Sequence, residues 1–196
     1  MKNMNNWAKQ LSALIDVSRQ NLTLTLGIVA ILWAVHIVNV ALRYRLNYFG
    51  IIPRRVAGLP GVIFAPFLHA NFSHLLFNSI PLFLLINLML LYGQTAFIEA
   101  TLIIVIGGGL ATWLLGRKAI HIGASGVIMG YWGFLLFKAY LNPNLIAVFT
   151  GVLCLYYLSG LFLQIVPSDK GVSWESHLYG LIAGLAAAYF IYTPII

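Results

Sequence analysis

Four positions in this sequence carry the side-chain types that acyl transfer requires: Ser125, His177, His74 and Asn78. Ser125 stands in the run His121-Ile-Gly-Ala-Ser-Gly-Val-Ile-Met-Gly-Tyr-Trp-Gly133, between small residues at the start of an apolar stretch. A hydroxyl in the first turn of a helix, without bulky neighbours, lies among unpaired backbone N–H groups at the positive end of the dipole. That setting suits a nucleophile with an oxyanion to stabilise. It also suits an N-capping serine beside packing glycines, so the other residues must decide. His177, with an ordinary pKa of about 6.5, can accept the serine proton and return it to a leaving amine. The Asn78 side-chain N–H, with His74 and the Ser125 backbone N–H, can hold the oxygen that becomes negative. Glu175, two residues before His177, points away from it on a helix and reads as a solvated interface charge. Asp169 lies in the loop before it, and Asp16 and Glu99 have no evident partner. The set is a Ser-His dyad.

The elements that must position these groups are membrane spans. The chain of 196 residues is 61% hydrophobic and 8% charged, far below the roughly 25% charged of a soluble domain, and its mean hydropathy is +0.94. The net charge of +7 does not point to nucleic acid, because the eleven Lys and Arg are scattered between apolar runs with no basic face interleaved with aromatics. They read as headgroup anchors and topology signals. Cys154 lies in an apolar run and reads as packing. Residues 1–21 are polar, with an apolar stripe at Trp7, Leu11, Leu14 and Ile15, and predict an amphipathic interfacial helix. They lack the succession of a removable signal peptide and are expected to stay on the mature protein.

Residues 22–42 are long enough for one span, at about 20 residues per crossing. Residues 43–72, with four arginines and three prolines among apolar patches, read as a loop partly in the interface. Further spans are expected at 73–92, 96–115, 123–140, 145–166 and 176–192. The prediction is an all-α bundle of six transmembrane helices with no appended domain. Consecutive spans alternate in direction, so His74 and Asn78 at the start of the second, Ser125 at the start of the fourth and His177 at the start of the sixth share one face. Gly126, Gly130 and Gly133 on the fourth span, and Gly180, Ala183, Gly184, Ala187 and Ala188 on the sixth, form small-residue stripes that predict close packing of these two helices. Gly107, Gly108 and Gly109 on the third span read as ordinary membrane packing.

Together the motifs His69-Ala-Asn-Phe-Ser-His74-Leu-Leu-Phe-Asn78, Gly123-Ala-Ser125-Gly126 and His177-Leu-Tyr-Gly180-Leu-Ile-Ala-Gly184 resemble the rhomboid family of intramembrane serine proteases. The resemblance runs from Phe67 to Tyr192. It implies Ser125 as nucleophile, His177 as base, and His74 with Asn78 as oxyanion donors, in a rhomboid-like protease domain over 22–196. It also implies cleavage in or beside the transmembrane segments of substrate proteins, which with membrane lipid are the expected partners. The pocket would open to the extracytoplasmic side of a bacterial plasma membrane, with the fifth span and residues 167–175 as gate and cap. No metal or other cofactor is expected, and the oligomeric state is left open.

The sequence departs from the family in three places. Pro60-Gly61 stands where many members carry Trp-Arg, Met129 replaces an aromatic one turn after the serine, and Ser176 replaces an alanine before the histidine. The cytoplasmic N-terminus that the resemblance implies places Arg43, Arg45, Arg54, Arg55, Arg117, Lys118 and Lys170 outside, against the positive-inside rule. The family orientation is kept as the expectation, with the arginines of the embedded loop reaching headgroups.

Other classes fit less well. A rhomboid-like protein that binds transmembrane segments without cutting them is the alternative, disfavoured by an intact Ser125 and His177. A transporter would spread polar residues along several spans, and here Asn39 and Asn87 are the clear strays. His-Glu-x-x-His for zinc is absent, as is a pair of intramembrane aspartates. His36, His69 and His121 read as structural.

Overall fold

The computed structural model describes residues 2–141, 143, 145–158 and 173–191. Its helices are α1 (Lys2–Ala41), a short α2 (Gly61–Phe64), α3 (Phe72–Leu90), α4 (Gln94–Leu102), α5 (Gly109–Leu115), α6 (Ser125–Leu141), α7 (Leu145–Leu158) and α8 (Trp174–Phe190). A wider π-helical stretch, Ile103–Gly108, joins α4 to α5 in one rod. Among the described residues, Ile15–Ala41, Phe72–Leu90 and Gln94–Leu115 are long and apolar enough to cross a bilayer. Large apolar side chains such as Phe77, Ile80 and Tyr189 point outward on α3 and α8. A surface of that kind needs hydrocarbon around it, and the chain is an integral all-α membrane protein.

The first helix shows no break at residue 21. It runs on from the polar N-terminal segment into the first span. Its end is shaped by Asn39, which is no stray. Fully buried, Asn39 donates to Asn47 Oδ1 at 2.8 Å and accepts the Leu46 N–H at 3.0 Å, folding the chain back after Ala41. Asn87 donates to the Phe83 carbonyl of its own helix at 2.9 Å. Both polar groups are thereby satisfied without water.

Residues 43–71 form a compact loop of 3-10 turns and the short α2. Gly61, in the place of the family's Trp-Arg pair, lies so close to the backbone of Gly50 and Ile51 that a β-carbon there has no room. The loop is fastened to two other elements. Arg54 donates through Nη1 to the Leu114 and Gly116 carbonyls at the end of α5, and Trp113 Nε1 donates to the Arg55 carbonyl. Ile51 and His121 pair through both backbone bonds, and the Gly123 N–H donates to the Ala65 carbonyl at 2.9 Å. The segment leading into Ser125 is therefore braced by the first loop.

At the centre is α6, buried on every side from Val127 to Leu135. Its closest partner is α8. The carbonyl oxygens of Gly126 and Gly130 occupy the space that β-carbons on Gly180 and Gly184 would need, so the two backbones touch. The π-helical stretch seats against the same pair: Ile104 fills the space beside Gly130, and Gly108 lies against Gly180 and the Tyr179 carbonyl. Gly108 is thus a packing glycine, with α8 as its partner. At the far end of α6, buried Lys138 donates to the Ile191 carbonyl just past α8, a cation where the helix dipole is negative. Trp132 Nε1 ties α6 to the Cys154 carbonyl of α7, and Cys154 itself is fully buried.

This contact predicts a sharp contrast between two glycines. Gly184→Ala is expected to lower stability by about 1–3 kcal/mol, the usual cost of overpacking a tight contact. Gly27→Ala on α1, where an added β-carbon meets nothing within 4 Å, is expected to leave it unchanged or slightly raised. Thermal unfolding midpoints in detergent measure both, and equal shifts would contradict the packing account.

Candidate active site

Ser125 is the first residue of α6 and His177 lies in the first turn of α8. The helix contact described above brings Ser125 Oγ to 2.7 Å from His177 Nε2. His177 is 3% exposed, so the imidazole is held inside the bundle. Gly123, two residues before the serine, has φ +115°, a backbone that only glycine adopts without strain. It turns the chain into α6 and leaves a bare backbone where other residues would place a side chain.

Two donors converge on that bare backbone. An added β-carbon on Gly123 would lie 2.7 Å from His74 Nε2 and 3.4 Å from Asn78 Nδ2. His74 and Asn78 are one turn apart on α3, which opens with Asn71 as N-cap: its Oδ1 accepts the His74 N–H at 2.8 Å. The Ala70 N–H points at His74 Nδ1 from 3.4 Å. A nitrogen that accepts carries no proton, so the ring proton is assigned to Nε2, the atom facing Gly123. Asn78 Nδ2 is buried and has no partner among the described residues. A buried amide N–H left unpaired is costly unless something is meant to arrive there. Ser125, His177, His74 and Asn78 thus meet in one place, beside Gly126 and Gly180, with Gly130 and Gly184 one turn deeper.

Some neighbours were not singled out by the sequence as part of the site. His69 is fully buried, its ring edge-on to His74 with centroids 5.0 Å apart. Burial, with the nearby His74 second, holds its pKa down at about 3. It is a neutral wall behind His74. His121 is also buried, which lowers its pKa; its Nε2 is 3.1 Å from the Arg117 carbonyl and its Nδ1 2.5 Å from Ser173 Oγ.

Glu175 corrects an expectation. It is 2% exposed, not solvated, because its Oε1 accepts the Arg117 N–H at 3.2 Å and lies 3.4 Å from Arg117 Nε. It does point away from His177, as the helical offset requires. Met129 is fully buried in the α6 core. Of the expected gate and cap, residues 159–172 lie outside the described residues.

A membrane-embedded helical bundle with a serine–histidine pair beside two side-chain donors defines a class. Comparison with known proteins makes the class specific. The Rhomboid domain matches over residues 57–194, and the chain belongs to the rhomboid family. It is 42% identical over 181 residues to an uncharacterized protein of Mycobacterium tuberculosis, covering 88% of this chain and 75% of that one. An uncharacterized protein of Mycobacterium leprae is 37% identical over 179 residues, 86% of this chain and 70% of that one. A Bacillus subtilis protein named "Putative rhomboid protease YdcA" is 30% identical over 125 residues, 62% of each chain.

The depressed pKa of His69 has a consequence for stability. The unfolded chain takes up this proton below about pH 6.5, whereas the folded protein refuses it until about pH 3. Its contribution is therefore complete above about pH 6.5 and is lost as the pH falls towards 3. The unfolding midpoint is expected to drop between pH 7.5 and pH 5, and less steeply in His69→Leu; identical slopes would remove His69 from the account.

Proposed function

We propose that this protein is an intramembrane serine endopeptidase that cleaves transmembrane segments of membrane proteins with a Ser125–His177 dyad. The observation that carries this reading is the 2.7 Å approach of His177 Nε2 to Ser125 Oγ. That distance lets the imidazole take the hydroxyl proton as oxygen attacks a scissile carbonyl. As the carbonyl becomes tetrahedral, its oxygen acquires negative charge beside Gly123. His74 Nε2 and Asn78 Nδ2, both turned towards that backbone, supply hydrogen bonds that strengthen as the charge grows, and the Ser125 N–H in the first turn adds a third. Protonated His177 then gives its proton to the leaving amine. A second cycle, with water as nucleophile, releases the acyl group from Ser125.

The family's six-span bundle is part of the same proposal: α6, α7 and α8 are read as the fourth, fifth and sixth spans. The rhomboid-like domain would then occupy 22–196 and follow an interfacial N-terminal segment. The odd number of crossings between them would put the N-terminus and the active-site face on opposite sides of the membrane. With a cytoplasmic N-terminus the pocket opens to the extracytoplasmic side.

A fluorophosphonate reports directly on the dyad. In lipid-reconstituted protein, the wild type is expected to be labelled at Ser125 and Ser125→Ala not at all. His177→Ala is expected to lose labelling, and Asn78→Ala to slow turnover of a transmembrane substrate by about 100- to 1,000-fold, the usual loss for one oxyanion donor. Equal labelling of wild type and Ser125→Ala would sink the assignment of the nucleophile.

A further inference from the structure

The Ser125–His177 contact joins residues 52 apart in sequence, and further contacts beside it add to the glycine packing of their helices. Residues 117–126 and 173–177 touch at four points. Glu175 Oε1 accepts the Arg117 N–H at 3.2 Å and lies 3.4 Å from its Nε. Ser173 Oγ is 2.5 Å from His121 Nδ1 and 2.7 Å from Ser176 Oγ. The Ser176 carbonyl rests on Gly126, where a β-carbon would lie 3.1 Å from it. His177 meets Ser125 itself. The Ser173 carbonyl also accepts the His177 N–H at 3.3 Å.

Glu175 is the unusual member. Its carboxylate is 2% exposed, and Oε2 has no partner among the described residues. A buried charge that is only half satisfied is a weak source of stability, so a plain packing role is a poor account of it. Its position is what distinguishes it: two residues from the base, and bonded to the backbone eight residues ahead of the nucleophile. Fixing the helix that carries the imidazole fixes where the base stands.

We propose that Glu175 is a positioning residue of this site, holding the first turn of α8 against Arg117 so that His177 stays in register with Ser125. The proposal rests on the protease reading above. The predicted signature is a loss in the chemical step without a loss in binding, since neither Glu175 nor Arg117 touches the reacting atoms.

Saturation labelling with a fluorophosphonate in lipid-reconstituted protein separates the maximal labelling rate from the half-saturating concentration, both taken on folded protein only. Glu175→Ala is expected to lower the maximal rate about 10- to 100-fold, the scale of a misplacement near 1 Å, while half-saturation stays within about twofold. Glu175→Gln keeps an acceptor oxygen for the Arg117 N–H and is expected to recover most of the rate. Arg117→Ala removes the guanidinium but keeps the backbone N–H that Glu175 Oε1 accepts, so it is expected to retain most of the rate, and to add no further loss when combined with Glu175→Ala. Absence of Ser125 labelling in the wild type overturns the protease reading and this proposal with it. A labelled wild type overturns the proposal alone if Glu175→Ala labels at the full maximal rate, if only half-saturation changes, or if Arg117→Ala adds a further loss in the double variant.

Discussion

Contact between the backbones of α6 and α8 is the constraint from which the rest of this structure follows. Two helices usually run 8–10 Å apart, with side chains between them. Here Gly180 and Gly184 remove the side chains on one surface, and the carbonyls of Gly126 and Gly130 fill the space. In lipid no hydrophobic force drives helices together, so this packing has to come from dispersion between closely fitted atoms. The same approach is what allows a hydroxyl on one helix to reach an imidazole on the other. Site and packing are one arrangement.

A second pattern concerns the polar groups. Most of them are silenced locally: Thr25, Ser79, Thr101 and Thr112 each donate to the carbonyl one turn back on their own helix. The bilayer makes any other choice expensive. Asn78 Nδ2, buried and unpaired among the described residues, lies where α3 faces Ser125. An unsatisfied donor in such surroundings is a reserve of interaction for a guest oxygen. Arg54, Asn39 and the loop they fasten keep that end in shape.

Much of this was legible in the sequence because it rests on local rules. Hydropathy placed the helices, and alternation of span direction put Ser125, His177, His74 and Asn78 on one face. The glycine stripes announced the α6–α8 contact. What escaped depends on distant partners. Glu175 read as a surface charge since nothing local reveals that Arg117, 58 residues away, meets it. Asn39 read as a stray because its partners Leu46 and Asn47 lie beyond a turn made by Arg43 and Tyr44 at φ 53° and 62°, a conformation unusual for such residues. Lys138 counted as a topology charge, although it is spent inside the bundle on the Ile191 carbonyl. The continuity of α1 through residue 21 was hidden by its change in composition, since polarity marks the surroundings of a helix and not its end.

The π-helical stretch Ile103–Gly108 gives the third rod a property of its own. Each residue turns an ordinary helix by about 100°, so a segment wound more widely resets the angular phase of everything that follows. The half that carries Phe97 and Ala100 and the half that carries Gly108 and Thr112 therefore face their neighbours on independent settings. Regular winding of the same residues would swing Gly108 away from Gly180. The rod is better understood as two short helices coupled by a phase shifter, each free to vary in sequence without dragging the other out of alignment.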